Sequence, residues 1–82
     1  MQSFLEYVVK GLVTKPESVD IRPVEQNGGT LFELRLDPED VGRVIGRRGV
    51  TISAIRSLLE SGSAKQGKRC RVEIVEEAGS GN

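Results

Sequence analysis

Histidine and tryptophan are missing from these 82 residues, cysteine occurs once, and the aromatics are two phenylalanines and one tyrosine. Without histidine the commonest general base near neutral pH is gone, and Cys70 falls at an inward position of an alternating strand, as a small core residue does. No enzyme is expected. One thiol makes neither an internal disulfide nor a multi-ligand metal site, so no cofactor or metal is expected, and a reducing, cytoplasmic setting follows. Scarce aromatics speak against stacking bases on an aromatic platform. No apolar run approaches the ~20 residues of a membrane span, and no charged start followed by an apolar stretch marks a signal peptide. Neither a membrane nor a small-molecule substrate is expected as a partner.

Charge is present in equal amounts, twelve basic and twelve acidic residues, for a net of zero. Its distribution is uneven. Between positions 43 and 71 stand Arg43, Arg47, Arg48, Arg56, Lys65, Lys68, Arg69 and Arg71, with Glu60 as the single acid, so this segment carries +7 and the remainder −7. Such asymmetry hints at an anionic partner, although charges scattered around a solvated surface explain it equally well. A chain this short buries only roughly 60–65% of its unfolded surface, so a single layer of helices on one small sheet is the expected core.

The apolar spacing of Leu5, Val8, Val9 and Leu12 predicts a helix over 3–13, with Ser3 and Glu6 spaced as a capping box, stopped before Pro16. "SVDIRPVE" alternates, and Pro23 restricts it to an edge strand or a bulge. "QNGG" is a hairpin turn, and "TLFELRL" follows with Phe32, Leu34 and Leu36 on one face. Asp37 and Pro38 open a helix as N-cap and first residue, with Asp40 favoured by the dipole; that helix lasts two turns at most before Gly46. A second runs from about Val50 to Ala64, with Ile52, Ile55, Leu58 and Leu59 toward the core, although Gly62 weakens its end by about 1 kcal/mol. "RCRVEIV" closes the fold as a strand with Cys70, Val72 and Ile74 inward. The fold class is thus α+β, in the order α-β-β-α-α-β, three helices on one face of a three-stranded sheet. One domain occupies residues 1–76, and 77–82 form a frayed, flexible tail.

Between the second and third helices stands Gly46-Arg47-Arg48-Gly49. Glycine supplies the conformations a four-residue helix-to-helix turn demands, and the helix that follows presents unpaired N–H donors and a positive dipole end, which attract phosphate. Guanidinium forks match phosphate oxygens. For an isolated G-x-x-G, a tight corner kept soluble by two arginines is the better account. The full string, "VIGRRGVTISAI", resembles the KH-domain signature: an aliphatic pair, G-x-x-G, then isoleucines three and six residues after the second glycine. The element order is similar to the type II, prokaryotic, KH arrangement. Residues 3 to 76 resemble the small bacterial single-KH-domain proteins of the KhpA family, with "EYVVKGLV", "LRLDPEDVGRVIGRRG" and "AKQGKRCRVEI" in the matching places.

The resemblance implies binding of single-stranded RNA or DNA, about four nucleotides in a narrow groove, with the G-x-x-G loop against the backbone. Carried over, Gly46, Arg47, Arg48 and Gly49 form the clamp, and Ile45 and Ile52 line the groove or the core beneath it. Arg43 and Arg56 are auxiliary phosphate contacts or merely solvated helix faces, while Lys65, Lys68 and Arg69 extend the basic surface or do nothing. It further implies RNA-chaperone or post-transcriptional work linked to cell-envelope homeostasis and cell length. Self-association as a homodimer, or pairing with a larger KH-containing protein of the Jag (KhpB) type, is implied with it. The alternative is a KH-fold protein-interaction subunit that binds RNA only with a partner; a helix-hairpin-helix DNA binder fits less well, since it lacks the three strands.

Overall fold

The structure, a computed structural model, describes residues 2–75, and the strand whose alternation is cleanest lies at its centre. β2 (Gly29–Arg35) is flanked by β1 (Asp20–Gln26), antiparallel, and by β3 (Cys70–Ile74), parallel. Phe32 and Leu34 are buried on one face, and the register sets Ile21 beside Leu34 and Val72 beside Phe32 on that same face. Over it lie α1 (Gln2–Leu12), α2 (Val41–Ile45) and α3 (Val50–Ala64), which add Leu5, Val9, Val44, Ile52, Ile55 and Leu59 to one continuous core. A fully buried side chain of this kind contributes about 1.5–3 kcal/mol.

The strand connections follow from local chemistry. Asn27 and Gly28 both take positive φ, 43° and 79°, in the two-residue loop that pairs Gln26 with Gly29, as right-twisted hairpins require. Pro23 lies on the edge strand in unbroken register with Phe32, where its missing donor costs least. Gly29 has a second reason to be glycine. A Cβ there would run into the carbonyl oxygen of Arg69, which accepts from the Thr30 amide at 2.8 Å, so the hairpin and the α3–β3 loop meet backbone to backbone.

Several expectations need correction. Leu58 does not face the core: it is 59% exposed, because it sits about 100° around the helix from buried Leu59 and shares the outer side with Val50 and Ala54. Ser3 lies inside α1 rather than ahead of it, and Glu6 pairs with Lys10. The segment after Asp37 begins as a single 3₁₀ turn, Pro38–Asp40, before α2 proper, with the Asp37 carboxylate accepting from the Glu39 amide at 2.9 Å. The third helix, by contrast, runs from Val50 to Ala64 as expected, with Gly62 inside it. The expected tail at 77–82 lies outside the described residues.

The largest departure is Asp40. It stands at the start of α2 but is completely buried, which the dipole reading did not anticipate. Its carboxylate accepts from the Thr14 amide at 3.0 Å, the Thr14 hydroxyl at 2.9 Å and the Lys15 amide at 3.1 Å. These bonds tie the α1–β1 connection to the entry of α2. Burial pushes the Asp40 carboxyl upward, but those donors and the charge of Arg43 outweigh it and hold the group below its ordinary value. Outside the clasp, the Lys15 ammonium reaches Asp37 and Glu39 at 3.4 and 3.5 Å, and their hydrogen bonds and charges raise its pKa.

A carboxyl depressed by folding stabilises the fold fully above its unfolded value, near 3.8, and this contribution is lost as the pH falls from there through the lower folded value. Asp40→Asn should therefore lower the urea midpoint at pH 7, by a gap that stays constant down to about pH 5 and closes in stronger acid. Urea titrations of wild type and variant across that range check it.

Candidate nucleic-acid interface

The corner between α2 and α3 is built by backbone contact. The Gly46 amide closes α2 on the Gly42 carbonyl at 2.9 Å, and the residue then leaves the helix at φ 77°, ψ 173°. A Cβ on Gly46 would stand 2.9 Å from the Thr51 nitrogen and 2.7 Å from its Cβ. No other residue lets the two helices approach this closely. The chain next makes one turn, Arg47–Gly49, closed by the Gly49 amide on the Gly46 carbonyl at 3.1 Å. Arg48 (φ 57°, ψ 25°) and Gly49 (φ 75°, ψ 14°) are both left-handed, which for the arginine costs roughly 1–2 kcal/mol.

This geometry pushes Arg47 and Arg48 out to an exposed tip. Behind them α3 starts with Gly49 as its N-cap, and no side chain caps it. A serine or aspartate there would accept from amides of the first turn; the Val50 amide bonds to the Arg47 carbonyl, and glycine offers the amides that follow no side-chain acceptor, at the positive end of a 15-residue helix beside the two guanidinium groups. Hydrogen-bond donors, dipole and fixed positive charge thus converge on one spot, an arrangement suited to a phosphate oxygen.

A groove lies beside α3. Ile52, Arg56 and Glu60, spaced four apart, share one side of the helix. Arg56 and Glu60 form one wall of a depression whose other residues are Leu31, Arg71, Val72 and Glu73. β3 is an edge strand. The Arg69 carbonyl and the Val75 amide bond to β2, so with the alternation of a parallel ladder the odd-numbered residues of β3 face β2. The backbone groups of Val72 and Ile74 face the open edge, free to meet the polar edges of bases.

Of the residues singled out by the sequence, Gly46, Arg47, Arg48 and Gly49 share the corner, Ile52 is 6% exposed beneath it, and Ile45 is half-buried beside the core. Arg56 stands on the groove wall. Arg43 is drawn elsewhere, its Nε 3.6 Å from the buried Asp40 carboxylate. Sequence reasoning left out Arg71 and the β3 edge; the available signal was that the last strand of this order, pairing on one side only, must lie at the margin of the sheet.

The two glycines should differ under substitution. Gly46→Ala meets both a clash and a left-handed φ and should lose about 2–4 kcal/mol, whereas Gly49→Ala finds open space and should lose only about 1–2 kcal/mol for its φ. Urea unfolding of both variants tests the order.

Comparison with known proteins agrees with this geometry. The family described as KhpA/KhpB, KH domain, matches residues 2–74. A Chlamydia trachomatis protein named RNA-binding protein KhpA is 42% identical over 94% of this chain and 99% of its own. Its namesake from Borreliella burgdorferi is 42% identical over 88% of each chain. That from Clostridium perfringens is 37% identical over 92% of this chain and the whole of its own. No solved structure matches. With its α-β-β-α-α-β order, mixed sheet and G-x-x-G corner, the chain belongs to the KhpA/KhpB KH-domain family, a family of non-enzymatic domains.

Proposed function

We propose that the chain binds single-stranded RNA by clamping its backbone at the Gly46–Gly49 corner. One observation carries the reading: α3 opens without a side-chain cap, at a tip that presents two exposed arginines. Gly46 and Gly49 let the chain approach phosphates, and Arg47 and Arg48 contact them. Ile45 and Ile52 support the apolar floor, Arg56 holds a phosphate along the groove, and Arg43 is a lesser contact because Asp40 already engages it. The relatives' shared name, RNA-binding protein KhpA, agrees. A KH clamp holds about four nucleotides, so one domain binds weakly, and a weak grip on unpaired strands is the behaviour that RNA-chaperone work requires. The reading extends to the cytoplasm, where a lone reduced cysteine is at home, and to the family's link with envelope homeostasis and cell length. Among the described residues no helix is long and apolar enough to cross a membrane.

A second component of the proposal is pairing of two KH domains, either as a homodimer or with a larger partner of the Jag (KhpB) type. Val50 and Leu58 are 65% and 59% exposed and with Ala54 form an apolar stripe along the outer side of α3, spaced four apart. Two grooves on one assembly gain affinity through effective concentration. A protein-docking role without RNA is the lesser reading, because the corner keeps both glycines and both arginines.

Arg47→Asp combined with Arg48→Asp should reduce binding of mixed-sequence single-stranded RNA at least tenfold in fluorescence anisotropy, with unchanged circular dichroism. Wild-type affinity should fall with salt by a slope of about −0.7 per phosphate neutralised. Absence of wild-type binding at any salt would remove the RNA reading and leave docking. Leu58→Asp should shift sedimentation at high protein concentration toward the monomer while leaving the helical signal intact.

A further inference from the structure

We propose that RNA continues beyond the four-nucleotide groove onto a second phosphate-binding patch at the far end of α3, formed by Lys65, Lys68, Arg69 and Arg71. The preferred ligand is then a longer unpaired strand, held at two points. This rests on the RNA reading above and specifies its ligand.

The cations of the chain divide sharply by ion pairing. Lys10, Lys15, Arg22, Arg35 and Arg43 each lie within 4.0 Å of a carboxylate, on Glu6, Asp37 and Glu39, Asp20, Glu33 and Asp40 respectively. Arg47, Arg48, Arg56, Lys65, Lys68, Arg69 and Arg71 have no ion-pair partner among the described residues, and all are exposed. The unpaired cations are thus one uninterrupted set in the chain, running from the corner along α3 and around into β3. The segregation of charge seen in the sequence persists in space, and scattered solvation does not produce it.

The surface between them is continuous. Arg71 and Glu60 belong both to the groove beside α3 and to the next hollow, which reaches Lys68 and Arg69 behind the helix C-terminus. Lys68 and Arg69 in turn line hollows against the hairpin turn, with Asn27, Gly29 and Thr30 opposite. The cations stand on a fixed loop. The amides of Gln66, Gly67 and Lys68 bond to the carbonyls of Ser63, Ala64 and Ser63 at 2.9–3.0 Å, and the Arg69 carbonyl is pinned by Thr30.

A purely structural role covers only part of the set. Cations near a helix C-terminus gain roughly 0.3–1 kcal/mol from the dipole, which accounts for Lys65 and Lys68 but not for Arg69 and Arg71 at and within β3. The acids nearby have other places: Glu25 accepts from the Thr30 hydroxyl at 3.4 Å, while Glu60 and Glu73 line the middle of the groove, where base edges rather than phosphates face the protein. The 15 residues of α3 rise about 22 Å, so a strand clamped at the corner must run that far before its phosphates meet Lys68 and Arg69.

The test measures binding of single-stranded RNAs of four and eight nucleotides, with one protein per strand verified by the titration endpoint, at several salt concentrations. For wild type, the eight-nucleotide strand should bind more tightly, with a salt slope steeper by about 1.4, corresponding to two further phosphates. Lys68→Glu with Arg69→Glu should remove that gain and that extra slope while keeping the four-nucleotide affinity, which also shows that the variant is folded. Lys10→Glu with Arg22→Glu, an equal change of net charge on the other side, should keep the gain. Equal affinity and slope for both lengths in wild type, or a gain that survives in the Lys68/Arg69 variant, overturns the patch and leaves the clamp standing. Wild type that binds neither length overturns both.

Discussion

Everything that distinguishes this surface depends on how close Gly46 lies to Thr51. Helix α2 has five residues, too few to hold a direction by itself, and is fixed by buried Val44 on one side and by the Asp40 clasp at its start. At its end the backbone of Gly46 meets the first turn of α3 with no room for a side chain. Because the interior of the corner is filled by the side chain and amide of Thr51, the residues spanning it have nowhere to go but outward. Two arginines at the tip are thus a consequence of packing, and their exposure does not require them to avoid any particular neighbour.

The same geometry explains how a chain of zero net charge comes to suit a polyanion. What governs an encounter is the local field, and the range of that field in physiological salt is about 8 Å. Cations on α1, on β1 and in the connection between them are already committed to acids of their own neighbourhood, which leaves that side net acidic. The basic side has no such partners among the described residues, so its potential survives. Exposed pairs of this kind add little stability, typically 0–1 kcal/mol; their electrostatic effect is to cancel positive charge on that side.

Most of the fold was legible in the chain because its signals are local and periodic. Alternation marked β2, Asn27-Gly28 marked the hairpin, Pro23 placed β1 at an edge, and the G-x-x-G string marked the corner. What escaped was of another kind. Asp40 reads as one more acid at a helix start, and only the meeting of Thr14 and Lys15 with it, 25 or so residues apart, makes it a buried anchor. Leu58 reads as core because it adjoins Leu59, yet adjacent residues on a helix point about 100° apart, and two neighbours cannot both face a narrow sheet. Gly29 reads as half of a turn, and its contact with Arg69 is invisible until β3 is placed beside β2. For the candidate site, the tip was readable residue by residue, whereas the groove was not, since its second wall is a strand edge made of backbone.

Arg48 shows where stability and recognition part company. The turn needs a left-handed residue at this position, and glycine would adopt that conformation without the roughly 1–2 kcal/mol that an ordinary side chain pays. Arg48 makes no ion pair among the described residues, it is exposed, and it does not belong to the core, so the folded chain recovers none of that cost through its contacts. Water solvates the exposed guanidinium, so its charge costs little there, and what stays uncompensated is the backbone strain. The conformation that makes arginine expensive there is also what aims it away from the protein.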